Sequence, residues 1–186
     1  MKQILKYIEL PWQISPSASD LKLQVKETGP DYQSVVLCLV FFNSKEAREA
    51  SGVTAKSYQL QGKEKVFASD REGFIQIQFK NPIFSAMEIK ASDEVTSDFN
   101  IYDDSLLPCS DSKEPINIRL DKYREHWNGT GNSPRPGFYE ILNSSLLSDR
   151  FKPYKSIGYG HYIIEGSDMY VEVVASAWNW IPAFPE

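Results

Sequence analysis

The chain carries few groups able to do chemistry: two histidines (His126, His161), two cysteines (Cys38, Cys109) and scattered carboxylates. His161 is the most suggestive of them. It lies in the stretch Tyr159 to Ala175, which reads as two apolar, β-branched and aromatic runs about Gly166-Ser167. A glycine followed by a small polar residue suits a two-residue hairpin turn whose first position needs a positive φ. That turn would set Ile164 opposite Met169, Tyr162 opposite Val171 and His161 opposite Glu172. A histidine beside a carboxylate can move protons, but the plainer expectation is a cross-strand polar pair.

The other constellations are weaker. Cys109 with His126 or His161 could form a nucleophilic pair, yet a reactive thiolate needs positive surroundings and Cys109 lies in the most acidic part of the chain. No spacing of Cys and His matches a zinc site. Residues 92–111 hold six acidic side chains and no Lys or Arg. An EF-hand count from Asp98 fails, because Asp103 stands where Gly is required and Cys109 where Glu is required. Asn128-Gly129-Thr130-Gly131-Asn132 lacks the Lys-Ser or Lys-Thr ending of a phosphate loop. Neither a metal nor a cofactor is therefore expected. The best enzyme-like reading pairs carboxylates (Glu140, Glu165, Asp168, Glu172) with Trp127, Trp178 and Trp180, the residue types that grip or cleave carbohydrates.

The elements that must position these groups are mostly strands. The hairpin itself would bury Tyr162, Ile164, Met169, Val171 and Val173 on one face. Its other face carries Tyr159, His161, Ile163, Tyr170, Glu172 and Val174, with Glu165 and Asp168 at the tip. Val35 to Phe42 is apolar on both faces and reads as a central strand. Strands are also expected at 4–10, 21–26, 56–60, 64–68, 116–120 and 138–142, and a hairpin at 74–90 about Asn81-Pro82, burying Ile75, Ile77 and Phe79. Residues 12–20 and 126–137 read as loops. Ser44 can cap a short helix ending before Gly52, and Ser144 another turn running to Arg150. The sum is an α+β fold, mainly antiparallel β in a sandwich- or barrel-like sheet, with two or three short helices. It would form a single domain over 1–186, with a lobe boundary, if there is one, near 108–115.

Charge narrows the partners. Residues 1–92 carry 12 Lys and Arg against 10 Asp and Glu, whereas residues 93–186 carry 8 against 15. A net of −7 in the second half argues against nucleic acid, which needs clustered cations. The N-terminal residues lack a signal-like apolar region, and the longest apolar run, 35–42, is too short to cross a bilayer. A cytoplasmic, disulfide-free protein off the membrane follows, its oligomeric state open. The leading functional expectation is a non-catalytic protein that binds a protein partner, a basic one by charge, in an accessory or toxin-neutralising role. Its surface would be the hairpin's outer face and the terminal tryptophans: Tyr159, His161, Glu165, Asp168, Tyr170, Glu172, Trp178 and Trp180. The alternative is a carbohydrate-active protein, hydrolase or sugar-binding module, using Trp127, Trp178 or Trp180 with Glu140 or Glu172. A cleft with convergent carboxylates would favour the second, and a broad exposed aromatic patch the first.

Overall fold

In the computed structural model, residues 2–15, 21–28, 31–53, 57–60, 63–67, 69–89, 102–107, 114–130, 133, 135–167 and 169–183 are described. Cys109, Asp168 and most of the acidic stretch 92–111 lie outside them, as do residues 108–113 of the suggested lobe boundary. Two antiparallel sheets face each other. The first runs, in spatial order, β1 (Ile4–Tyr7), β9 (Phe138–Leu142), β10 (Gly160–Glu165), β11 (Met169–Ala175) and β8 (Phe84–Ile89). The second runs β12 (Ala177–Ala183), β7 (Glu72–Lys80), β4 (Asp31–Phe42) and β2 (Trp12–Ile14), with β3 (Lys22–Thr28) also paired to β4. β5 (Ser57–Leu60) and β6 (Lys63–Val66) form a separate hairpin. The fold is α+β and mainly antiparallel β, as expected from the sequence.

The pattern of apolar residues explains the layers. β4 buries Val36, Cys38, Val40 and Phe42 completely, β7 buries Ile75, Ile77 and Phe79, and Ile164, Val171 and Val173 meet them from the first sheet. Period-two alternation thus selects one face of each strand for the seam between the sheets. Leu37, Leu39 and Phe41, on the other side of β4, are half-buried, which is why that strand shows no clean alternation. The Cys38 thiol is free and fully buried, and burial pushes its pKa upward. Ellman's reagent should therefore modify Cys38 only as fast as the protein unfolds; rapid reaction in native buffer would contradict its place in the seam.

Four sequence expectations need correction. β7 and β8 do not pair: Asn81, in the left-handed region at φ 48°, turns the chain from the second sheet to the first. There Ile83 N–H donates to Val174 O at 2.9 Å and β8 pairs with β11, so tertiary pairing overrides the turn signal. Residues 116–120 are not a strand but the start of α2 (Ile116–Thr130), which extends into the expected loop. Its Ile118 and Leu120 are exposed, so they do not mark a core-facing stripe. Trp12–Ile14 is a strand rather than loop, and the terminal segment forms β12. Lastly, the hairpin register is displaced by two residues, with Ile164 opposite Val171, Tyr162 opposite Val173 and His161 opposite Val174. A shift of two keeps every side chain on its face. The connection is longer than expected, Gly166 N–H donating to Met169 O at 2.8 Å. Gly166 also packs against Leu21, whose Cγ would lie 3.2 Å from any Cβ there.

The helices are short apart from α2. Ser44 Oγ accepts from Ala47 N–H at 3.0 Å and caps α1 (Lys45–Ala50), and Gly52 follows its end at φ 86°. A π-helical turn, Leu146–Arg150, leads into α3 (Lys152–Lys155). Among the described residues no helix is long and apolar enough to cross a membrane.

Candidate ligand cleft and the buried relay behind it

The hairpin's outer face is not open. Segment 102–107 and the turn after Ser144 cover it, and Leu5, Leu107, Tyr139, Ile141, Ile163 and Tyr170 form a second apolar cluster there. Asp103 docks the first cover on β1: its N–H donates to Gln3 O at 2.7 Å, its C=O accepts from Leu5 N–H at 2.8 Å, and its carboxylate meets Lys2 Nζ at 3.0 Å. Of the residues expected on a partner surface, His161, Glu165 and Tyr170 are therefore buried, and Glu172 nearly so. Tyr159 is half-buried and packs on Tyr154, while Asp168 lies outside the described residues. Trp180 fills the seam against Trp12 and Phe42. Large aromatic side chains beside carboxylates look the same in sequence whether solvent or another segment covers them.

His161 and Glu172 do meet, on the diagonal. Ser144 Oγ lies 2.7 Å from His161 Nδ1, and His161 Nε2 lies 2.8 Å from Glu172 Oε1, which also accepts the Tyr102 hydroxyl at 2.5 Å. Burial works to raise the Glu172 carboxyl, but the bonds from His161 and Tyr102 and the imidazole charge outweigh it and hold the group below the carboxylate range. Burial, then the bond to Glu172, pushes the Tyr102 phenol upward. Serine, histidine and glutamate are the components of a hydrolase triad. Here the serine is 3% exposed, and its oxygen already accepts the Leu147 N–H at 3.0 Å. The relay is a staple: Ser144 anchors one covering segment and Tyr102 the other. A parallel contact joins Tyr139 OH to Glu165 Oε2 at 2.9 Å, with Arg135 Nε 3.8 Å from the same oxygen.

The concave site is on the other side of the sheet. Register places Lys6 beside Glu140 and Glu140 beside Tyr162, a polar row across β1, β9 and β10 on the face that carries Phe138 into the core. At the open edge of the sandwich this row faces β12. Trp178 there packs edge-on against Phe138 at 4.8 Å and Tyr162 at 6.5 Å. Lys6, Tyr7, Ile8, Glu9, Glu140, Tyr162 and Trp178 line a cleft of about 310 Å³. Lys6 Nζ lies 3.2 Å from Glu140 Oε2, both partly exposed. Burial with Glu140 raises the Tyr162 phenol, which keeps its proton at neutral pH. The Tyr7 ring turns to the opposite face and packs on Tyr139 at 6.1 Å, burial and Glu9 raising it to about 12.

Trp178 and Glu140 were legible as candidates. Lys6, Tyr7, Glu9 and Tyr162 were not, because nothing local announces that β1 pairs with β9. Gly160 gives a check on the geometry. Any Cβ there would strike the Tyr162 ring, which folds back over it. Gly160→Ala should leave stability within about 1 kcal/mol, because the ring tip can swing away, yet displace it into the cleft. Unchanged Tyr162 ring resonances in the variant would show that the two do not touch. Comparison with protein-family models, with curated proteins and with solved structures found no match to this chain.

Proposed function

We propose that the protein is a carbohydrate-binding module that seats a sugar against Trp178 and Tyr162 at the open edge of its sandwich. The observation that supports this is the convergence, in one cleft, of an aromatic wall with Lys6, Glu9 and Glu140. A pyranose ring offers an apolar C–H face and a rim of hydroxyls. The indole and phenol rings match the face, while carboxylates accept from the rim and ammonium and phenol groups donate to it. The volume is at the small end for ligand sites and suits a short saccharide. Glu140 is engaged by Lys6 at 3.2 Å, an arrangement suited to holding hydroxyls. The unpaired, buried Cys38 thiol suits a reducing compartment such as the cytoplasm.

Calorimetric titration with a panel of neutral oligosaccharides tests the reading. At least one should bind, and Trp178→Ala should weaken it by about tenfold or more, since a buried aromatic anchor supplies most of such an affinity. Failure of every sugar to bind, or equal binding by Trp178→Ala, would remove the reading. Release of reducing ends by wild type but not by Glu140→Gln would make the protein a hydrolase instead.

A further inference from the structure

Between the π-helical turn and β10, residues 152–158 are exposed without interruption. The run is nonetheless well bonded. Phe151 N–H donates to Leu146 O at 2.9 Å, Tyr154 N–H to Phe151 O at 2.9 Å, and Ile157 and Tyr159 N–H both to Tyr154 O, at 3.2 and 3.1 Å. Phe151 packs on Phe84 at 6.4 Å and Tyr154 on Tyr159 at 5.0 Å. On this fixed turn Ile157 is 69% exposed and Tyr154 37%. Arg150, Lys152 and Lys155 lie in the same stretch, Arg150 over the Phe151 ring at 5.2 Å, and among the described residues none of the three is ion-paired. Asp149 is the only acidic side chain in 149–159. Three cations without an acidic partner, in the stretch that carries this aliphatic tip, run against a half-chain whose net charge is −7.

We infer that the turn 150–159 is a docking site for an acidic protein segment that presents a large apolar side chain among Asp or Glu residues. Charge complementarity selects this occupant. Within the acidic second half, net −7, the turn is the cationic exception, which favours such a segment there over its surroundings. Ile157 and Tyr154 supply the apolar centre and the cations the rim, the usual division of labour in an interface. Local hydrogen bonding means that little ordering is needed on association. An anionic bilayer fits less well, because three cations attract it only modestly while the acidic body opposes approach.

The full-length protein, immobilised, would be panned against a display library of random peptides, and the enriched peptides synthesised and titrated by fluorescence anisotropy. The inference predicts an acidic consensus containing a large apolar residue, with affinity falling as salt rises. Ile157→Ser, and separately Lys152→Glu with Lys155→Glu, should each weaken binding by about tenfold or more. Trp178→Ala should bind these peptides as wild type does, which separates this surface from the sugar cleft. Circular dichroism would confirm that the exposed-site variants stay folded. A neutral or basic consensus, no enrichment, unchanged binding by both turn variants, or stronger binding to phosphatidylserine vesicles than to the peptides would each overturn the inference.

Discussion

Phe79→Ala should remove about 3–5 kcal/mol of folding stability, measured as a fall in the urea midpoint at constant slope. Phe79 is fully buried in β7, opposite Trp178, with its ring 6.1 Å from Phe138 and 5.7 Å from Tyr162. It therefore fills the seam at the point where the second sheet supports the cleft wall. The cavity left by alanine is bordered by rings that cannot collapse without leaving their own partners, so relaxation should recover little. Trp178 and Tyr162 should both become mobile, visible as a loss of near-ultraviolet dichroism. A loss below about 1 kcal/mol would mean that the two sheets do not meet at this residue.

Glu172→Ala should cost about 2–4 kcal/mol, a large effect for a residue at the margin of the core. The carboxylate is 14% exposed and receives both His161 and Tyr102, so its removal leaves two donors without an acceptor in an apolar setting. Glu172→Gln keeps one acceptor oxygen and should lose less. The pH dependence follows from the depressed carboxyl. The unfolded chain binds this proton near the ordinary value of 4.5, the folded one only at lower pH. The contribution is therefore complete above about 4.5 and fades as pH falls through the folded value. Wild type should lose stability faster than Glu172→Gln over that acid window. Parallel curves for the two would show that the relay is not formed.

The inner face of the sheets was readable because it is set by period two. Ile75, Ile77 and Phe79, and the series from Tyr162 to Val173, alternate along single strands and needed no partner to be recognised. That is also why a two-residue error in the hairpin register did no harm to the core. The outer face was misjudged for the opposite reason. His161, Glu165 and Tyr170 are covered by residues dozens of positions away, and a segment such as 102–107, acidic and short, carries no sign that it docks. β12 was not anticipated, although Pro182 is tolerated at a sheet edge and Trp178 and Trp180 alternate with Asn179. α2 was read as a strand over 116–120 and a loop from 126, with only Leu120, Tyr123 and Trp127 at helical spacing to hint at it, because Ile118 and Leu120 are exposed and Asn128-Gly129 resembles a turn. The cleft shares the limitation of the outer face. Lys6 and Glu140 become neighbours only through the pairing of two strands more than a hundred residues apart.

Trp178 is the wall of the proposed sugar site. The four tryptophans give four indole N–H signals, each assignable by substitution. Titrating the labelled protein with the oligosaccharide panel should move the Trp178 signal first and furthest, Trp12 remaining still because the seam buries it. Saturable movement of Trp178, abolished by Glu140→Gln or Lys6→Ala, is the predicted result. A Trp178 signal that stays fixed with every saccharide would contradict the central claim.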